Sequence, residues 1–202
     1  MDNDERLLEP LLCWGAKAAL KFFHDIDSHK GKQKLFGLFE HQLVSDKTGL
    51  LFGFPDVFPA PVSRWKSPRR EDVLKVPALE IVADSDEAGP NMLVESEPLD
   101  DNSALFPRRV YILNHPEYET DTLGVEYHRD SATDPNWPLP RHYFPGNDPL
   151  RAAPNLWRHT AHIYTNWVKS LYASTPYNVD MIPHPSKRIE AIQPRSAAFF
   201  GS

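Results

Sequence analysis

One cysteine in 202 residues leaves nothing for an internal disulfide, so packing and hydrogen bonds must hold the fold. Long apolar runs are missing too. None approaches the roughly 20 residues that span a bilayer, which excludes a membrane-spanning helix. Positive charge is in the minority, 22 basic residues against 28 acidic ones. The resulting net charge of −6 argues against a nucleic-acid surface, which needs a basic patch. The opening "MDNDERLLEP" lacks the basic-then-apolar pattern of a signal peptide, so a cytoplasmic protein is expected. What is present is an ordinary apolar share of 41 %, too high for a disordered chain. The length suits a single domain with a real core.

Proline is abundant, with 20 residues. They cluster between Pro55 and Pro68 and again between Pro135 and Pro154. Proline cannot donate to a central ladder or continue a helix interior, so both clusters are expected as long, stiff loops. Long irregular segments in a compact domain are often functional.

The pattern between them alternates short strands with helices. "EPLLC" (9–13) reads as a strand, and "AKAALKFF" puts Ala16, Ala19, Leu20 and Phe23 on one helical face. "KLFGLFEHQL" (34–43) and "GLLFGF" (49–54) have strand character. "ALEIVADS" (78–85) and "NMLVESEP" (91–98) flank a turn at Ala88-Gly89-Pro90 and read as a hairpin. "RRVYILN" (108–114) is a further strand. A helix follows from Thr120 or Asp121 to about Asp130. The longest helix is expected over 155–174, where Leu156, Trp157, Thr160, Ile163, Tyr164, Trp167, Val168, Leu171 and Tyr172 recur at three- and four-residue steps. The tail after Ile182 has no periodicity. This alternation predicts an α/β sandwich with some antiparallel additions.

Cys13 falls where a strand feeds a helix, the edge at which open α/β proteins place their chemistry. Unpaired helix N–H groups there would stabilise a thiolate. The alternative is a small buried hydrophobe, the commoner fate of a free cysteine. A thiol nucleophile needs a base, and His115 lies directly after a strand in "ILNHPEYETDTL". Glu117, two residues on, is placed to orient the imidazole, giving the three groups of a covalent acyl-transfer site. His24, Asp25, Asp27 and His29 crowd one stretch, but their spacing matches no metal-ligand template, so no metal is expected.

Longer stretches carry a resemblance. "NHPEYETDTLGVEYHRD", "HYFPGNDP" and "LWRHTAHIYTNWVKSLYASTPYNV" resemble the carboxyl-terminal half of the homoserine O-succinyltransferase family, which also includes homoserine and some serine O-acetyltransferases. The family pattern reads like "GHPEYDxxTLxxEYxRD", "NYFPxNDP" and "WRSHxxLLFxNWLNxYVYQxTPY". "LLCWGAKAAL" looks like its nucleophile segment, "GLFEHQL" its "GVYEHxxL", and "FPAPVSRW" its "FxxPHSRY". The resemblance covers about residues 8 to 180. It implies a class I glutamine amidotransferase-like (flavodoxin-like) sandwich, a single domain over 1–182 lacking amino-terminal strands, and an irregular tail over 183–202.

The resemblance also implies a reaction. An acyl-CoA co-substrate would pass a succinyl or acetyl group to Cys13, and then to the hydroxyl of homoserine or serine, in methionine or cysteine synthesis. His115 would be the general base, Glu117 its orienting partner, and the Trp14 N–H an oxyanion donor. Arg129 of "EYHRD" and Arg64 of "SRW" would hold a substrate carboxylate, with Lys34 and Ser63 as further substrate contacts. A guanidinium fork suits a carboxylate because it donates two parallel hydrogen bonds. Read alone, Arg129 fits an i, i+3 pair with Glu126, and Arg64 fits a solvated loop charge. No cofactor is implied.

Departures bear on partners and on substrate. The family carries a long portion before its cysteine, where only 12 residues stand here. A strand such as "PLLC" would then want a covering chain or a homodimer partner. A non-catalytic relative serving as a subunit is the competing reading, and a cysteine amidase or hydrolase is a third. Against the third stand the two arginines, since ammonia and water need no carboxylate clamp. Lys17 stands where the family usually has glutamine, Asn114 where it has glycine, and Val62 where it has histidine.

Overall fold

The computed structural model describes residues 9–98 and 105–174. The expected tail after Ile182 lies outside them. One mixed sheet of six strands runs through the molecule: β1 (Glu9–Leu12), β2 (Ser28–Leu43), β3 (Val57–Pro68), β4 (Leu79–Asp84), β5 (Met92–Pro98) and β6 (Leu105–Ile112). Their order across the sheet is β1-β6-β5-β4-β2-β3. β1 pairs with β6 in parallel, and the other pairings are antiparallel.

Helices cover both faces, which is why the central strands are apolar on both sides. Helix α1 (Cys13–His24) lays Ala16, Ala19 and Leu20 on Ile81, Leu93, Tyr111 and Leu113. The alternate residues Val94, Val110 and Ile112 point the other way, where Ile163, Tyr164 and Trp167 of α4 (His162–Ser174) pack on them. A short helix α2 (Arg70–Val73) adds Val73 to the first layer. Helix α3 (Thr122–Ser131) places Leu123 in a third cluster with Phe36, Leu38, Tyr143, Phe144 and Trp157.

Three expectations fail, each for a local reason. The first proline cluster is not a loop, because Val57–Pro68 is strand β3. β3 lies at the sheet edge, and the Pro61 carbonyl accepts the His115 N–H at 3.0 Å, so Pro61 turns its backbone away from β2. Its missing N–H therefore costs no ladder bond. "GLLFGF" is not a strand: Gly49 and Gly53 take φ of 69° and 87°, and Leu50 and Leu51 are buried within turns. The Asp46 carboxylate caps the Leu51 N–H at 3.1 Å, and Asn166 Nδ2 donates to the Leu50 and Phe52 carbonyls at 2.9 and 2.8 Å. The last helix starts late, with a 3₁₀ turn over Arg158–Ala161 before α4. Buried Trp157 spends its indole N–H on the Tyr118 carbonyl at 2.8 Å, which holds residues 155–157 off the helical path.

Candidate active site

The site begins at the step from β1 into α1. Cys13 is the first residue of the helix and carries φ of +43°, a left-handed backbone that non-glycine side chains rarely adopt. Such a strand–turn–helix step lifts a nucleophile out of the sheet edge. The preceding residue, Leu12, offers no side-chain cap, so the first-turn N–H groups have no intrahelical partner. The Trp14 N–H is one of them. Its indole projects outward, 78 % exposed.

Because β1 and β6 run parallel in register, with Leu12 opposite Ile112, the residues that follow both strands emerge at the same edge. Cys13 and His115 are thereby brought close enough to couple electrostatically. On its other side the imidazole Nδ1 shares a 2.7 Å hydrogen bond with Glu117 Oε1. Burial pushes the Cys13 thiol up, but the hydrogen bond and charge of His115, with Lys17 and Arg64, outweigh it and leave the thiol below its ordinary value. Burial likewise pushes His115 down, and the bonds and charges of Cys13 and Glu117 reverse this and raise it to about 9. Each group thus favours the charged form of the other, the thiolate of Cys13 and the imidazolium of His115.

Tyr118 and the groups bonded to it fix the imidazole plane. Tyr118 stacks on His115 with ring centroids 4.2 Å apart and 24° between planes. The Tyr118 hydroxyl donates to Glu126 Oε1 at 2.6 Å. The other oxygen, Oε2, accepts from Ser63 at 2.6 Å and Lys34 at 3.3 Å. Lys34 also reaches Asp130 at 3.7 Å and lies over the Phe36 ring. The turn before His115 is held by Asn114, whose Nδ2 lies 2.8 Å from His41 Nε2. Burial, then the charge of Arg64, pull His41 down to about 4. It is therefore neutral, donating from Nδ1 to the Phe39 carbonyl at 2.9 Å and accepting at Nε2.

Arg64 is not a solvated loop charge. It is 4 % exposed and donates to the Ser67 hydroxyl at 2.8 Å and to the Ala88 and Leu113 carbonyls at 2.5 and 3.3 Å. Among the described residues no carboxylate pairs with it. Burial draws its guanidinium down to about 10, against the pull of Cys13. Arg129 is placed differently. Its side chain is 67 % exposed and donates to Asp130 Oδ1 at 2.7 Å, not to Glu126. The sequence reading thus missed Tyr118 as the ring under His115 and Glu126 as the hub of Tyr118, Ser63 and Lys34. The only signal for Tyr118 was its place in "HPEY". Among the described residues no group of histidines, cysteines or carboxylates could hold a metal ion. No helix among them is long and apolar enough to cross a membrane.

The comparisons bear on this geometry. A family model described as homoserine O-succinyltransferase matches residues 9–177. The chain belongs to the homoserine O-succinyltransferase family. A homoserine O-acetyltransferase from Rhizobium leguminosarum bv. trifolii (strain WSM2304) is 39 % identical over 172 residues, 85 % of this chain and 53 % of that protein. Another from Chelativorans sp. (strain BNC1) is 40 % identical, over 85 % of this chain and 52 % of that protein. The chain thus spans about half the length of the curated relatives it matches. Among solved structures, a glutamine amidotransferase from Methylobacillus flagellatus superimposes with a TM-score of 0.59 at 13 % identity, covering 89 % of this chain and 68 % of that one. A glutamine amidotransferase from Thermotoga maritima gives 0.50 at 16 % identity, covering 83 % and 62 %. The amidotransferase-like α/β fold is shared. Cys13, His115 and Glu117 all lie within the stretch that the family model matches.

Because Cys13 is the only thiol, alkylation reports on it alone. Iodoacetamide labelling followed against pH is expected to rise through a midpoint below the ordinary thiol range, as His115 stabilises the thiolate. Tyr118→Phe keeps the stacked ring but drops the bond to Glu126, and should move that midpoint upward. An unshifted thiol midpoint in the unaltered protein would contradict the ion pair.

Proposed function

We propose that this chain carries the acyl-transfer centre of a homoserine O-acyltransferase. The observation that carries the reading is Cys13 on a left-handed strand-to-helix step, coupled to a His115 whose Nδ1 is hydrogen-bonded to Glu117. The donor is an acyl-CoA and the acceptor is homoserine, in a cytoplasmic step towards methionine. Serine is the competing acceptor.

The reaction divides into two halves. The Cys13 thiolate attacks the thioester carbonyl, and negative charge develops on its oxygen near the Trp14 N–H at the start of α1. The carbon–sulfur bond to CoA breaks, and CoA leaves as a thiol with the His115 proton. Acylation removes the thiolate that raised the His115 pKa, so burial then favours the neutral imidazole. Neutral His115 accepts the proton of the incoming hydroxyl, whose oxygen attacks the acyl-cysteine. The new ester leaves, and Cys13 returns as thiolate beside imidazolium. Buried Arg64, which lacks a carboxylate partner among the described residues, suits the substrate carboxylate. Lys34 and Ser63 enter as substrate contacts through the Glu126 hub. Arg129 joins them only by turning away from Asp130.

The test is intact-protein mass after exposure to acetyl-CoA or succinyl-CoA, followed by homoserine or serine. A gain of one acyl group, discharged by homoserine, supports the reading and names the donor. Folded protein that gains no mass from either donor would sink it in favour of a non-catalytic subunit. The pH profile of the first half has a stated sign. Acylation should rise as Cys13 deprotonates and fall as pH passes about 9, where His115 loses the proton owed to CoA. Acylation still climbing above that pH would remove His115 from this role.

A further inference from the structure

Lys17 and Arg64 stand near Cys13, and Lys66 and Lys30 follow outward on β3 and β2, none of the four with a carboxylate partner among the described residues. Lys17 lies one turn along α1 from Cys13, close enough for the two charges to interact. Burial draws its ammonium below the ordinary value, Cys13 opposes this, and the charges of Arg64 and Lys66 add to it. Lys17, Arg64 and Lys66 are therefore close enough to feel one another. On β3, Lys66 stands two residues beyond Arg64, roughly 7 Å along the strand. Lys30 of β2 lies directly opposite Lys66 in the register. The Lys30 ammonium sits over the edge-strand Trp65, 5.4 Å from the ring centroid.

This arrangement is costly in the free protein. Like charges directly opposite on neighbouring strands repel. The chain has 28 acidic residues, yet none of those described forms an ion pair with Lys17, Lys30, Arg64 or Lys66. By contrast Lys21, Lys34, Lys47 and Lys75 each have a carboxylate within 4 Å. A Cys13 thiolate would offset the charge of Lys17 and Arg64, and acylation abolishes it. An anion arriving with the acyl donor would restore the balance.

We propose that Lys66 and Lys30 form the seat for the phosphate groups of the acyl-CoA donor, with Lys17 marking the thioester end of the same track. This rests on the acyl-transfer reading above for the identity of the ligand. The track runs from the nucleophile outward along β3, so a donor whose reactive carbon is at Cys13 lays its phosphorylated arm over the exposed lysine pair. Charge-assisted bonds to phosphate oxygens would fix the arm without touching the acyl group, so the seat serves short and longer acyl chains alike.

The experiment measures binding of desulfo-CoA, which has the phosphates but no reactive sulfur, by titration calorimetry to the whole chain. Lys30→Gln/Lys66→Gln removes two exposed charges from strand surfaces. The variant is expected to bind about tenfold more weakly or worse, and the unaltered protein to lose affinity steeply as salt rises. Inorganic phosphate should compete poorly, because it lacks the arm. Equal affinity in the variant, no binding in the unaltered protein, or phosphate competing as well as desulfo-CoA would each overturn the seat. S-acetylpantetheine separates the two readings, since it carries the thioester without phosphates. If it acylates Cys13 while the lysine variant binds desulfo-CoA normally, acyl transfer stands and the seat falls. If no thioester acylates Cys13 yet desulfo-CoA binding depends on the two lysines, the seat stands and acyl transfer falls.

Discussion

Cys13→Ala is expected to leave a folded protein that takes up no acyl group from any donor, with turnover reduced by at least about 10³-fold. The fold should survive because the residue is only half-buried and its replacement keeps a Cβ in the same left-handed backbone. The loss should be near total because, in the proposed reaction, sulfur is the atom bonded in the intermediate, and Cys13 is the sequence's single cysteine. Removing the thiol also withdraws the interaction with Cys13 that helps to raise His115, so its pKa should fall in the variant. A histidine titration by nuclear magnetic resonance would see that shift independently of activity. Acyl mass gained by the Cys13→Ala protein would place the chemistry elsewhere.

Gly37→Ala is expected to cost about 3 kcal/mol or more of stability. Gly37 sits mid-strand in β2 with φ of +144°, which L side chains rarely adopt. The proline-rich loop over 135–154 crosses here, bridged to the strand: Leu38 N–H donates to the Arg141 carbonyl at 2.8 Å, and Arg141 N–H donates to the Phe36 carbonyl at 2.9 Å. A Cβ at position 37 would meet the Arg141 carbonyl oxygen, with the Arg141 nitrogen at 2.5 Å and its carbonyl carbon at 2.9 Å. These are backbone atoms, so no rotamer relieves the overlap. The loop must lift, carrying Tyr143 and Phe144 from the cluster they form with Phe36, Leu38 and Trp157. A urea titration measures the effect as a lowered midpoint. An unchanged midpoint would mean that the crossing is not needed for folding.

Several elements were legible because their signals are local. The strand over 108–114 and the helix from Thr120–Asp121 follow from periodicity and capping, and β6 and α3 lie there. The hairpin around Ala88-Gly89-Pro90 is the antiparallel pair β4–β5. Misreadings arose where a neighbour outweighed the local pattern. Proline reads as loop, but an edge strand leaves one side of its backbone free, and β3 uses that freedom at Pro61. An apolar six-residue run reads as strand, but two left-handed glycines fold "GLLFGF" into turns that still bury Leu50 and Leu51.

The candidate site divides in the same way. The sequence alone supplied the candidate residues and their strand-end positions, Cys13 after "PLL", His115 after "YILN" and Glu117 two residues on, together with the family to which the chain belongs. Position along a chain carries no information about which residue stacks on which. Only the tertiary structure put Tyr118 under the imidazole, gathered Ser63, Lys34 and Tyr118 on Glu126, buried Arg64 without a carboxylate among the described residues, and turned Arg129 to Asp130. It also set Lys30 opposite Lys66 beside Lys17. Such contacts depend on strand order, register and burial, quantities set by the packing of residues far apart in sequence.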